Sequence, residues 1–338
     1  MDELRVAVVG VGRMGLTHAE HLARQVRGAR LVAATTSNED RAGEVRRSCG
    51  AVPVYANLEA LLEGERLDAA VIASSTAAHL ENVEQCAAAG IHILCEKPLA
   101  LSVEDCDRAV AAAGTAGVKL MVGHVRQFDS GYIEAKRLIT NGAVGAPVIY
   151  RSISGDMDPP PPGFADLTVS GGLILDSMYH DIYLARWLMD DEIVRAYGEG
   201  DALIDEGVRS VGDIDNAVVS VRFARGALGT LTASRVTRYG HDVRGEVVGD
   251  EGAVQIGRFR HTPVRLFDRR GVHHDMAHTT PDRMGEAFVT MLQAFVDCVR
   301  NDTDPPVPTG DARATVAVAI AATQSIHSRA PVEVPIEI

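Results

Sequence analysis

Three groups of residues in this 338-residue chain have types and spacings that could do chemistry. The first is Glu96-Lys97-Pro98, directly after the apolar run Ile91-His92-Ile93-Leu94-Cys95. A lysine at the carboxyl end of a buried parallel strand stands where open α/β sheets bind their ligands. The proline has no N–H to donate and admits a cis bond. Lysine occurs only at positions 97, 119 and 136, so this one is not a filler charge. The second group is Asp176, His180 and Tyr183, which a helix would place on one face. Removing a proton from a hydroxyl needs a base that titrates near neutrality, and His180 suits that role. Asp176, one turn earlier, would orient the imidazole or bond a substrate hydroxyl, and Lys97 would hold the reacting oxygen. A solvated Glu-Lys turn and a self-satisfied Asp–His pair are the plainer readings of these two groups.

The third group tips the balance. Gly10-Val11-Gly12-Arg13-Met14-Gly15 follows the first strand and opens the first helix. In that context the glycines allow a tight turn, a close approach of backbone to a pyrophosphate, and helix packing on the strand. The helix N-terminus then offers its N–H groups to the phosphates. An NAD site usually has Asp or Glu about twenty residues further on, bonding the ribose 2′-OH. Here Thr35-Thr36-Ser37-Asn38 stands there instead, with Arg13 and Arg41 as nearby cations. NADP is therefore favoured over NAD, although the same residues would also serve as a helix cap. Ser74, Ser75, Thr76 and His79 after the third strand, with Glu96 and Lys97, complete the cofactor-binding candidates.

The elements that must position these groups alternate over the first 120 or so residues. Apolar runs at 4–9, 31–35, 69–73, 91–95 and 118–122 read as buried strands. Between them 14–27, 39–48, 57–63, 78–89 and 103–116 have helical spacing. This predicts an α/β fold with a doubly wound parallel sheet, residues 1–122. From 123 to 338 the pattern changes. Helices at 130–141 and about 172–189 precede strands near 193–199, 215–224, 227–236, 242–249 and 253–256. Turn signals such as Ala224-Arg225-Gly226 join them, so a large open, mostly antiparallel sheet with helices on one face is expected. Asp156 to Pro162 reads as a rigid loop, and helices at 283–300 and 310–328 close the chain, the last one a candidate to pack back toward the first domain.

Composition narrows the classes of function. Hydrophobic content of 46%, charged content of 23% and a net charge of −13 fit a globular protein with no basic surface for nucleic acid or membrane. Five cysteines without a C-x-x-C pair suit free thiols in a cytoplasmic protein. His273-His274-x3-His278 lacks a convergent acid or cysteine, so no metal site is expected.

The chain resembles the family of sugar and cyclitol dehydrogenases typified by glucose-fructose oxidoreductase and inositol 2-dehydrogenase. The resemblance rests on Gly10 to Gly15, Cys95-Glu96-Lys97-Pro98-Leu99, Gly123-His124-Val125-Arg126-Gln127-Phe128-Asp129, and Gly171-Gly172-x3-Asp176-x3-His180-Asp181, in that order. Tyr239-Gly240-His241-Asp242 and Glu246-Val247-Val248-Gly249 resemble a later stretch of inositol dehydrogenases. It implies an N-terminal Rossmann domain, a C-terminal α+β domain whose sheet makes a homodimer or homotetramer, and reversible hydride transfer at a secondary alcohol of a polyol or sugar. His180 is then the acid/base, with Lys97 and Asp176 assisting. Substrate contacts fall to Lys97, Arg126, Asp156, Asp176, His180, Tyr183 and Tyr239, of which Arg126 could instead steady the lysine's surroundings. One departure bears on substrate choice: Tyr183 occupies the place where inositol dehydrogenases usually carry a second acid. The substrate could thus be inositol, another cyclitol, a sugar, or the ketone of an aminosugar. A non-catalytic dinucleotide-sensing regulator on the same fold is the other class of function to weigh.

Overall fold

A computed structural model of the chain describes residues 3–160, 162–257, 262 and 264–335. It divides into two compact units, Met1–Val125 with Glu286–Arg313, and Arg126–Gly285 with Ala314–Ile338. The sequence division at 122/123 assigns all of 286–313 to the second part, whereas packing groups that segment with the first. Phe288 meets His18 edge-on at 5.5 Å, Gln293 accepts the Arg27 N–H at 2.8 Å, and Arg313 pairs with Asp107 at 2.6 Å. An amphipathic helix records that it has an apolar face but not whose core it covers.

The first unit contains β1 (Leu4–Val9), α1 (Arg13–Arg24), β2 (Ala29–Thr35), α2 (Glu39–Cys49), β3 (Val54–Tyr55) and α3 (Leu58–Gly64). It continues with β4 (Ala69–Ile72), α4 (His79–Ala88), β5 (His92–Glu96), α5 (Val103–Ala116) and β6 (Leu120–Gly123). The six strands are parallel, in the order β3-β2-β1-β4-β5-β6. Every residue of β4 and β6 is buried, which is why these strands read as unbroken apolar runs rather than alternations. The order reverses between β1 and β4, so the loops after those two strands flank the crevice where such sheets bind ligands. Strand β3 escapes sequence reading because it has only two residues, both half-buried.

The second unit contains α6 (Ser130–Thr140), β7 (Pro147–Gly155), the short helices α7 (Pro162–Ala165) and α8 (Leu167–Ser170), and α9 (Tyr179–Met189). Then come β8 (Ile193–Asp201), α10 (Glu206–Ser210), β9 (Asn216–Phe223), β10 (Leu228–Ser234), β11 (Asp242–Gly249) and β12 (Ala253–Gly257). A hairpin of β13 (Leu266–Asp268) and β14 (Gly271–His273) follows; α11 (Thr280–Asn301) passes into the first unit at Glu286, α12 (Thr309–Ser328) returns to the second at Ala314, and β15 (Val332–Glu333) closes the chain. Its large sheet runs β12-β11-β7-β10-β9-β8-β15 and is antiparallel except for the β7–β10 pair. Strands β9 and β10 alternate buried and exposed residues, as expected when one face packs and the other is open. Of the loop expected at 156–162, residues 156–160 are in neither helix nor strand. Pro161 lies outside the described residues, and Pro162 opens α7.

Strand β7 sits mid-sheet, although no strand is expected there from sequence. Its inward positions are Tyr150, Ser152 and Ser154 rather than aliphatic residues, because they face a buried ion pair. Arg126 donates to Ser154 Oγ at 2.7 Å and meets Asp181 Oδ1 at 3.3 Å. Burial pushes the Asp181 carboxyl up, against the pull of the Arg126 cation. Replacing Arg126 by Met would leave that carboxylate buried without its charge partner. It should cost about 3–5 kcal/mol of stability, read as a lower midpoint in urea unfolding. An unchanged midpoint would show that Asp181 does not depend on this cation.

Candidate active site

The loop between β1 and α1 is built for an anion. Gly10 has φ +89°, and a Cβ there would come within 2.6 Å of the Ser74 backbone. A Cβ on Gly15 would lie 2.1 Å from the Gly10 carbonyl oxygen, so α1 packs directly on the loop. Gly12, by contrast, opens onto free space and is the N-cap of α1. No side chain caps this helix and its first turn holds no acid, which leaves its N–H groups to a ligand. Arg13 is exposed and Met14 half-buried on that first turn. Gly10 N–H donates to Thr35 Oγ1 at 2.9 Å, tying the loop to the end of β2. There Thr36 accepts the Asn38 N–H, and Asn38 caps α2 through the Arg41 N–H. Arg41 pairs with Glu44. No carboxylate stands between Thr35 and Asn38.

The Lys97 corner is braced from beneath. The Lys97–Pro98 peptide is cis. Glu96 is buried, accepting from His18 Nε2 at 2.7 Å and from the Lys97 N–H at 3.1 Å. Burial would raise its pKa, but the His18 hydrogen bond and charge, with Lys97, hold it below the usual carboxylate range. His79 is also buried, and burial holds its imidazole below the ordinary range. Its Nδ1 lies 2.8 Å from the Pro98 carbonyl oxygen and its Nε2 3.2 Å from the Ser74 carbonyl oxygen. Glu96 and His79, expected from sequence to touch cofactor, therefore have side chains turned to the corner itself. Ser74 Oγ accepts from Asn82, Ser75 is exposed, and Thr76 is buried in a single 3-10 turn.

In the second unit the helix expected at 172–189 contains a π turn, Ile174–Met178, before α9. The step from Asp176 to His180 crosses that wider turn, so ideal α-helical spacing does not by itself put them on one face. Arg235, just past β10, puts its Nη2 3.6 Å from Asp176 Oδ2. His180 is 8% exposed, with the Tyr179 ring edge-on at 6.3 Å. Gly171 and Gly172 both have φ +79°, but their close approaches are internal: a Cβ on Gly172 would come 2.7 Å from Asp213 Oδ1.

Near the ends of β7 and β10, Asp156 meets His241 Nδ1 at 3.1 Å, and Ser177 Oγ donates to it at 3.5 Å. Tyr239 is 60% exposed and donates to Asp242 at 3.0 Å. Two substrate candidates are placed otherwise than expected. Arg126 lies in the buried pair with Asp181. Tyr183 is buried and its hydroxyl donates to Gln127 Oε1, so the phenol is tied down within its own unit. Arg235, Asp213 and His241 were not foreseen. His241 lies inside a recognised motif, whereas the other two are isolated charges with no spacing to flag them.

A glycine cradle at the switch point of a parallel sheet, with a lysine directly after β5, marks a dinucleotide-binding unit. Residues 4–124 match the GFO/IDH/MocA oxidoreductase family, NAD-binding Rossmann fold, and 132–255 match the GFO/IDH/MocA C-terminal domain. The chain belongs to that family. It is 36% identical over 335 residues to scyllo-inositol 2-dehydrogenase (NAD(+)) of Bacillus subtilis, covering 99% of this chain and 97% of the relative. To myo-inositol 2-dehydrogenase of Thermotoga maritima it is 35% identical, covering 98% of each. The crystal structure of scyllo-inositol dehydrogenase from Lactobacillus casei with NAD(H) and scyllo-inositol superposes with a TM-score of 0.91 at 26% identity, covering 98% and 99%. Among the described residues no helix is long and apolar enough to cross a membrane.

Proposed function

We propose that the chain is a dinucleotide-dependent dehydrogenase of a cyclitol or a closely related sugar, acting on a secondary alcohol or, in reverse, its ketone. The observation that carries this reading is full-length similarity to two inositol 2-dehydrogenases in a chain that keeps Lys97, Asp176 and His180. Gly10, Gly12 and Gly15, with the α1 N–H groups, would hold the dinucleotide's diphosphate. When bound, its nicotinamide supplies the hydride acceptor or donor. In oxidation, the Lys97 ammonium donates a hydrogen bond to the reacting oxygen and His180 takes the hydroxyl proton. Asp176 accepts from a hydroxyl of the substrate. In the reductive direction His180 returns the proton. Tyr183 in place of an acid removes one carboxylate contact, which favours a hydroxyl pattern other than that of the inositol enzymes.

NADP is the preferred dinucleotide in this reading, because Thr36, Ser37 and Asn38 present hydroxyls and an amide where a carboxylate would repel a 2′-phosphate. We also place a homodimer or homotetramer on the open face of the large sheet, where Tyr197, Val218 and Leu228 are exposed. A cytoplasmic location is in keeping with five free cysteines. The test is reduced-nicotinamide absorbance over a panel of cyclitols, aldoses and keto-sugars, in both directions and with both dinucleotides. NADP is expected to exceed NAD in kcat/KM by about tenfold, the lower end for one charge-assisted hydrogen bond. Thr36→Asp should reverse the order. A wide preference for NAD in the native protein would sink the reading of Thr36 and Ser37, and would align the chain with its Bacillus subtilis relative.

A further inference from the structure

Arg235 is among the largest fully buried side chains, 1% exposed. Its Nη2 lies 3.6 Å from Asp176 Oδ2 and 3.5 Å from Asp213 Oδ2, a single cation facing two carboxylates. None of Nε, Nη1 and Nη2 has a hydrogen-bond acceptor in range among the described residues. The guanidinium is thus held to both acids by charge rather than by a directional fork. Asp213 in turn accepts the Leu173 N–H through Oδ1 at 3.1 Å, at the start of the helical run that carries Asp176 and His180. Gly172 is needed there because any Cβ would strike Asp213. Burial pushes the Asp213 carboxyl up, opposed by Arg235, while Asp176 raises it further. Arg235 thus supplies one positive charge to the buried Asp213 and to the half-buried Asp176.

We propose that Arg235 is a positioning residue for substrate binding: with Asp213 it fixes the orientation of Asp176, so that Asp176 can accept a hydroxyl of the polyol. This rests on the role proposed above for Asp176. Because the contact is one of charge and not of a bidentate fork, lysine should replace arginine here, which is not the rule for this pair.

The test measures kcat and KM with myo-inositol and scyllo-inositol as probes, and dinucleotide Kd by fluorescence. Arg235→Met is expected to lower kcat/KM by about 10- to 100-fold, the range for losing a group that orients another. The loss should fall mainly on polyol KM, with dinucleotide Kd unchanged and Arg235→Lys recovering most of it. Arg235→Met leaves Asp213 buried without its cation, so a second variant, Arg235→Met with Asp213→Asn, removes one buried charge of each sign. That pair should regain the wild-type Tm and still bind polyol poorly. If it regains both Tm and kcat/KM, Arg235 is only structural and the proposal is overturned. Asp176→Asn is run alongside. If it loses activity while Arg235→Met keeps it, the inference about Arg235 fails alone. Should Asp176→Asn keep wild-type kcat/KM, the proposed role of Asp176 fails with it.

Discussion

Replacing His180 by alanine is expected to lower kcat by about 10²–10⁴-fold, the usual worth of a positioned acid/base. Dinucleotide affinity should stay within about twofold, since the anion-binding loop Gly10–Gly15 belongs to the other unit. His180 has two properties that suit the role. It is largely withdrawn from water, which strengthens any charge interaction made on proton uptake. It also lies on a helix that is buried on nearly every side, so its position is set by packing rather than by a mobile loop. His180→Gln offers a finer version: glutamine preserves size and hydrogen bonding but takes no proton at these pH values, and should be as slow as alanine. Normal polyol turnover by either variant would remove His180 as the acid/base.

Lys97→Met should have the second large effect, lowering kcat by about 10²–10³-fold, the scale for losing one preorganised donor to a developing oxyanion. Much of the first unit's polar construction near β5 serves this corner. His18 holds Glu96, Glu96 holds the Lys97 N–H, and His79 holds the Pro98 carbonyl. Such bracing from two helices would be excessive for a solvated turn. Lys97→Arg should remain well below wild type, because a planar guanidinium does not reproduce a compact ammonium at a reacting atom. The check is steady-state kcat in both directions with dinucleotide Kd measured separately. A fall of less than about threefold would leave Lys97 without a part in stabilising the oxyanion.

The legible parts of this protein were those whose signal is periodic or spaced. Strands β1, β4, β5 and β6 are buried on both faces and so appear as plain apolar runs. The glycines at 10, 12 and 15 form a spaced set with one mechanical explanation. The less legible parts depend on distant partners. Strand β7 hides because its inward side chains answer to Arg126 and Asp181. The π turn at Ile174–Met178 has no pattern that separates it from the α-helix around it. Arg235 is one of many arginines until β10 delivers it beside Asp176. From sequence, Glu96 and His79 read as cofactor contacts and Arg126 and Tyr183 as substrate contacts. The structure uses their side chains to brace or pack within a unit, a distinction that residue type alone does not make.

The proposed reaction is hydride transfer between a polyol carbinol and a nicotinamide. Its most direct test supplies the wild-type protein with scyllo-inositol or myo-inositol carrying deuterium on the ring carbons, in ordinary water, with NADP and with NAD. The expected product is reduced nicotinamide that carries deuterium from the polyol, seen by mass spectrometry, together with the matching ketone. Dinucleotide binding with no reduced nicotinamide from any polyol or sugar of the panel would contradict it, and would mark the chain as a dinucleotide-sensing protein instead.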